Sequence, residues 1–477
     1  MHCDSLYDRR IPILDDQVVE DMDGSVDGLY SFLLDDDGLA FLSYHNKEVV
    51  NYFSDTRNLE MLLQVVFHPE SGDDVFMYRV SYVASKAVEL LPTELHEKLV
   101  TSDTCMSVLF DCIHWDHLEN HFATCFAMIM ESLVIDCRSG LMDYLFRNGE
   151  SILPSILKHL NLVPIQMVMR LLIMLSEDAN SDSVTQPIWW GDTSELMKAL
   201  VVKLQDYTFS DRVCDLLINV VDDVTSQVCH IASYENLIHE LDDESMLAEL
   251  LSNTLQRMTH GERGSDEWRR EQHVCGNILH LLSSLLYYTN SADWNTSRLK
   301  GIVTIVENQW VEILKTMTKL LLSKEETHSS YTCPQSLTWC IVFIRQFLIA
   351  TQNHCSQQNL ITLFQIALDA VCCYNSNSFL HVHVGSFLLS VLSTVSTSLV
   401  VTLLEESRLL DLIASYSRQR NIPVTGMFLK VYWDLYKCSI KSVMAALKSA
   451  NAWKELLENV DINALMGPLR CVNELTW

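Results

Sequence analysis

Four side chains near residue 115 have the types and spacing of a metal site: Cys112-x-His114-x-x-His117-x-x-x-His121. His117 and His121, four positions apart, would share a helix face and so could grip zinc as a pair. No C-x-x-C knuckle accompanies them, and Trp115, Asp116 and Glu119 fit a surface turn between helices better. His381-x-His383 and the adjacent Cys372-Cys373 are weaker candidates. Neighbouring helical residues point about 100° apart, which suits one core residue and its neighbour rather than a pair of ligands. Asp222-Asp223 and Asp242-Asp243-Glu244 are carboxylate clusters of the kind used for metal binding or acid–base work. No glycine-bearing loop frames either cluster, and solvated helix ends account for both. The sequence has no G-x-S-x-G elbow, P-loop, H-E-x-x-H or dinucleotide fingerprint. The expectation is a non-catalytic protein with neither cofactor nor resident metal.

The elements that would carry these residues are helices. Gly (14) and Pro (9) are scarce in 477 residues, too few for the turns an all-β fold needs every 8–12 residues or so. Apolar residues recur with a period near 3.6 over Leu59 to Phe67, Met106 to Ile113, Phe122 to Ile135, Ile165 to Leu175, Leu196 to Leu204 and Val213 to Val224. The same period runs through Met246 to Leu255, Val274 to Leu286, Ile302 to Leu322, Leu337 to Ile349, Leu360 to Val371, Gly426 to Tyr436 and Val443 to Leu457. Short polar breaks separate them at His68 to Asp74, Glu177 to Gln186, Gly261 to Asp266, Ser323 to Ser330 and Asn375 to Ser378. Asp103, Asp192, Ser210 and Asp243 stand where N-caps belong, and Glu195 follows Asp192 at capping-box spacing. The fold class predicted is all-α: an α-solenoid of degenerate armadillo- or HEAT-like helix pairs, roughly 40 residues each. Residues 1–24 read as an acidic arm, 25–465 as the helical array and 466–477 as a tail.

Net charge sets the partners. The formal charge is −29, and residues 1–40 alone carry eleven Asp/Glu against Arg9 and Arg10. Such a field repels phosphate backbones and anionic headgroups, so neither nucleic acid nor membrane is an expected partner. From Asp369 to Glu405 there is no charged residue in between, and Val384 to Leu404 is long enough to span a bilayer. Yet Val384, Phe387, Leu388, Val391, Leu392, Val395, Leu399 and Leu403 form one stripe, with Ser386, Ser390, Ser393, Ser396 and Thr397 largely off it, so a single packed helix is predicted. Fifteen cysteines without framework spacing suit a reducing compartment, where the sequon Asn295-Thr296-Ser297 has no meaning. No apolar run follows the first charges, so no secretory leader is expected. A cytoplasmic location follows, with the nucleus as a further one.

The most specific stretch is Leu368-Asp369, then Tyr374, then Asn377-Ser378-Phe379-Leu380-His381-x-x-Val384. It resembles the SAPS-domain family, regulatory subunits of protein phosphatase 6, which carries Asn-Asn-Phe-Leu-His-x-x-Val there; Ser378 replaces the second Asn. The likeness runs over about residues 27–460. Asn46-Lys47 with Val50 and Phe53 is similar to the family's Asn-x-Lys-Leu helix. Ala87-Val88-Glu89-Leu90-Leu91, Leu157-Lys158-His159-Leu160 and Met169-Arg170-Leu171 match further helices, and Trp190 and Trp453 fall at family tryptophans. Departures stand at Phe41-Leu42, Glu119-Asn120, Gln166 and Gly426-Met427-Phe428. The resemblance implies a scaffold that binds a protein phosphatase 6-type catalytic subunit and directs it to substrates, joined by an ankyrin-repeat subunit. It also implies partner contacts at Asn46, Lys47, Glu89, Arg170, Asn377, Phe379, Leu380 and His381. Read from the residues themselves, Phe379 and Leu380 fill the core, Asn377 caps the helix that carries His381, and Glu89 neutralises a buried base or caps a neighbour. The alternative is a generic armadillo/HEAT adaptor, such as a phosphatase 4-type scaffold or a transport receptor.

Overall fold

The computed structural model describes residues 24–35, 38–69, 74–175, 192–225, 232–289, 300–322, 333–351, 356–374 and 376–417, with 427, 428, 430, 431, 434 and 435. The N-terminal arm before Gly24, the sequon at Asn295, Trp190, Trp453, the breaks at 177–186 and 323–330, the helix expected at 443–457 and the tail lie outside these residues, as does most of the helix expected at 426–436.

Every regular element among the described residues is a helix. The local reasons are plain at α4 (Thr56–Phe67). Leu59, Leu62, Leu63 and Val66 fall on one face and are fully buried, and the Asp55 side chain accepts from the Arg57 amide at 3.0 Å to cap the first turn.

The chain divides into two compact units: Met1–Val201 with His230–Leu237, and Val202–Cys229 with Ile238–Trp477. In the first unit the helices are α1 (Val26–Leu34), α2 (Gly38–Ser43), α3 (Lys47–Phe53), α4, α5 (Asp74–Glu89), α6 (Thr93–Thr101), α7 (Asp103–His114), α8 (Asn120–Asp136), α9 (Arg138–Lys158) and α10 (Val163–Leu175). Packing arranges most of them in two rows, α1–α5–α8–α10 and α4–α7–α9. Phe110 of α7 meets Phe126 of α8 across the rows at 5.5 Å and Tyr144 of α9 along its own row at 5.4 Å. After α11 (Thr193–Leu204), α12 (Tyr207–Thr225) and α13 (Ala232–Leu241), the second unit continues with α14 (Glu244–Met258), α15 (Asp266–Thr289), α16 (Lys300–Leu322), α17 (Gln335–Ala350), α18 (Gln357–Cys373), α19 (Ser378–Thr394), α20 (Thr397–Glu406) and α21 (Leu409–Ser417). Its rows are α12–α15–α17–α19 and α14–α16–α18–α20. Trp310–Phe347 at 5.4 Å and Phe364–Phe387 at 6.2 Å join them. The tightest pairing, α15 with α17, depends on Gly276: a Cβ there would lie 3.0 Å from Gln335 Cγ and 3.3 Å from Trp339 Cδ1.

Four local expectations are corrected. Val384 to Leu404 is two helices, α19 and α20, broken at Val395-Ser396. The stripe therefore buries Val384 to Leu392 in one helix, and Val400, Leu403 and Leu404 in the next. Among the described residues no helix is long and apolar enough to cross a membrane. Asp103 is a first-turn residue, paired with Arg147 at 3.0 Å, and Ser102 is the cap. Ser210 is buried inside α12, whose first turn Asp206 caps through the Thr208 amide at 2.9 Å. Asp192 and Asp243 cap as expected, at 2.9 Å each, but Glu195 turns to Lys198 at 2.9 Å instead of closing a capping box.

Candidate functional site

The residues nearest to metal chemistry are not brought together. His117 lies in the turn between α7 and α8, so it shares no helix face with His121. Cys112 faces the core. His114 Nδ1 meets Ser155 Oγ at 2.8 Å, and the His121 ring packs on Tyr78 at 4.7 Å. No cluster of three or more His, Cys, Asp or Glu able to hold a metal occurs among the described residues. The matched segment at Leu157 to Leu160 explains this turn. Lys158 Nζ donates to the Trp115 carbonyl at 2.9 Å and to Asp116 at 3.0 Å, while His159 Nε2 reaches the Ile113 and Trp115 carbonyls at 3.1 Å each. Lys158, the last residue of α9, and His159, its C-cap, thus satisfy the C-terminal carbonyls of α7. Asp242, expected to be solvated, is instead half-buried and accepts from the Gly301 and Ile302 amides at 3.3 and 3.1 Å, capping α16.

The resemblance-derived contact residues divide by role. Asn46 caps α3, accepting from Glu48 and Val49 amides at 2.9 and 3.3 Å, with Lys47 exposed beside it. Glu89 neither caps a neighbour nor neutralises a fully buried base: it pairs with Lys86 one turn back at 2.6 Å, and both are about a third exposed. Arg170 is half-buried on α10. In the second unit Asn377 caps α19 through the Leu380 amide at 2.8 Å, as expected, and Leu380 is fully buried. Phe379, expected in the core, lies outside it, and His381, expected as a partner contact, is buried. Phe379 is 48% exposed and His381 only 3%. His381 Nε2 donates to the Tyr374 carbonyl at 3.1 Å, its Nδ1 has no partner, and burial holds its pKa below the ordinary histidine value.

Phe379 does not stand alone. Its ring meets His383 edge-on at 4.4 Å and Trp339 of α17 at 5.9 Å, and Trp339 stacks on His280 of α15 at 3.8 Å. Four rings from three helices of one row thus make a partly exposed strip, with Val382 38% exposed at its edge. Burial depresses the pKa of His280, against the pull of Asp215 and Asp222. Burial also depresses His383, aided by the charges of Arg345 and His280. Where α12, α15 and α17 begin, a cleft of 490 Å³ is lined by Tyr207, Arg269, Arg270, His273 and Gln335, among others. There His273 is held between Asp211 at 2.5 Å and Gln335 at 2.9 Å, and Arg270 lies over the Tyr207 ring at 5.6 Å. Residue spacing held part of the signal for the strip: Phe379 and His383, at i,i+4, share a helix face. Which helices lie side by side was not in the sequence, so the rings could not be joined.

No protein-family model matches the chain, and no curated protein matches it. A crystal structure of an engineered protein from the Northeast Structural Genomics Consortium is similar over 93% of this chain and 98% of its own, at 11% identity and a TM-score of 0.29. That superposition is too loose to bear on fold or function.

Proposed function

We propose that the chain is a non-catalytic α-solenoid scaffold that binds a protein phosphatase 6-type catalytic subunit and directs it to substrates, as the SAPS-domain resemblance implies. The observation that carries the reading is the signature segment at the start of α19. Its Leu380 and His381 are spent on the core, while Phe379 is held outward in a strip of rings. A large aromatic fixed against its neighbours and left half in water is the usual anchor of an interface. The two-row packing within each unit supports the armadillo/HEAT-like description, since stacked helix pairs leave one row's outer face open for a partner. An ankyrin-repeat subunit would complete the assembly.

The test is affinity purification of the tagged chain with identification of bound phosphatase catalytic subunits. The expected result is recovery of a protein phosphatase 6-type subunit, reduced by Phe379→Ala at unchanged melting temperature. Recovery of a phosphatase 4-type subunit or a transport cargo instead would favour the generic adaptor. Phosphopeptide hydrolysis by the purified chain, lost on mutating His114, His117 or His121, would end the scaffold reading.

A further inference from the structure

The turn between α7 and α8 gathers rings where it gathers no set of metal ligands. Trp115, the C-cap of α7, meets Phe122 of α8 edge-on at 5.5 Å, and Phe122 meets Tyr78 of α5 at 6.5 Å. His68, the C-cap of α4, also packs on Trp115, at 5.5 Å. A carboxylate is bound to a ring donor at each end of this run. The Trp115 indole donates to Asp111 at 3.1 Å, and the Tyr78 hydroxyl donates to Glu119 at 2.7 Å. Both acids and Tyr78 are exposed, and Trp115 and Phe122 are half-buried.

These donors orient the carboxylates without neutralising them. Indole and phenol are uncharged, and an ionised carboxylate has about four acceptor positions. No lysine or arginine among the described residues pairs with Asp111 or Glu119. His68 lies 3.6 Å from Asp111, a pairing that carries charge only when the imidazole is protonated. Lys158 is engaged by Asp116 and the Trp115 carbonyl. Arg79, the residue after Tyr78, is turned about 100° from it on α5. Glu119 stands at the N-cap position of α8 yet makes no capping bond there.

The chain itself shows what a ring beside a carboxylate takes. Arg147 lies over the Tyr144 ring at 5.8 Å while it binds Asp103 at 3.0 Å. A guanidinium can stack on a ring and donate in its own plane at the same time, which an ammonium cannot do. The Asp111–Trp115 and Glu119–Tyr78 pairs offer the same chemistry and hold no arginine among the described residues. The Phe122 ring lies between them, a span that two residues up to four apart on one extended segment cover at about 3.4 Å per residue. The formal charge of −29 draws a cationic segment toward the chain.

We propose that this ring platform receives a basic segment of a protein partner, in which one arginine binds Asp111 beside Trp115, a second binds Glu119 beside Tyr78, and an apolar residue between them covers Phe122. This goes beyond the phosphatase reading and does not rest on it, because the platform and the strip at Phe379 belong to different units of the chain.

The test uses the full chain and fluorescein-labelled, end-blocked peptides with two arginines two, three or four positions apart around a leucine. Citrulline and lysine counterparts are measured beside them by fluorescence anisotropy at about 100 mM salt. At least one arginine peptide should bind about tenfold more tightly than its citrulline counterpart, which keeps the shape and loses the charge, and also more tightly than its lysine counterpart. Asp111→Asn combined with Glu119→Gln should erase the preference for arginine over citrulline. Glu249→Gln combined with Glu307→Gln, which removes two exposed acids of the second unit, should leave that preference intact. The new amide oxygens still accept from indole and phenol, so the first pair of substitutions should melt like wild type. Equal binding of arginine and citrulline, a preference for lysine, an equal loss in both double variants, no binding up to about 1 mM, or a marked fall in melting temperature for Asp111→Asn with Glu119→Gln would each overturn the proposal.

Discussion

Phe379 and His381 stand two positions apart at the start of α19, and the helix turns them about 200° from each other. Their different fates make different predictions. Phe379→Ala should cost less than about 1 kcal/mol, because half of the ring is already in water. His381→Ala should cost about 2–4 kcal/mol, because it opens a cavity and removes the donor to Tyr374. Urea denaturation of both variants checks this, and the reverse order would refute it. The placement was legible after all. Val384, Phe387, Leu388 and Val391 fix the helix phase, and running that phase backwards puts Leu380 and His381 inside. Assigning Phe379 to the core weighed its hydrophobicity above its phase. Histidines also set a pH response. Burial holds His121, His159, His280, His381 and His383 below the free imidazole value. The unfolded chain therefore takes up protons first, so their stabilisation is complete above about pH 6.5 and is lost on acidification. Melting temperature should fall between about pH 7.5 and 5.5, and His383→Phe, which keeps a ring, should flatten the fall.

At the scale of elements, α16 shows how one side chain holds a distant helix. Asp242, just after α13, caps a helix that begins 58 residues later, and the approach is so close that a Cβ on Gly301 would lie 2.4 Å from the Asp242 carbonyl oxygen. Asp242→Ala should cost about 1–2 kcal/mol by orphaning two amides. Burial outweighs those amides and pushes the Asp242 carboxyl up to about 6. A raised carboxyl favours the folded state at low pH, with its stabilisation full below about 3.9 and lost as pH rises through about 6. Asp242→Asn keeps an acceptor without the charge. It should therefore melt higher than wild type near pH 7.5, with the gap closing near pH 4; a gap that does not close would show that charge is not the cause. The long helices were legible because an amphipathic period survives over three or more turns, as in Val274 to Leu286 within α15. α1–α3 and α6 are too short to show one. α9 hides its period behind Gly140, Gly149 and an internal Pro154. The break between α19 and α20 was missed because an apolar stripe continues across it.

For the whole molecule, a formal charge of −29 means that folding gathers like charges. Raising ionic strength from about 10 to about 300 mM should screen that repulsion and raise the melting temperature. A fall would show that the ion pairs, such as Arg147–Asp103 and Arg257–Glu271, matter more than the net field. The sequence carried the helical class through its period and composition. It did not carry the division into two units, because a boundary inside α11 leaves no gap in the apolar pattern. The row arrangement has a consequence in time as well as in space. Within each unit a helix touches mainly elements a few places away in the chain, so contact order is low and folding can begin in any neighbouring set of helices. Opening should then spread inward from row ends, and amide hydrogen exchange should slow in steps from α21 through α19 to the α15–α17 pair, the last part of that unit to yield its protons.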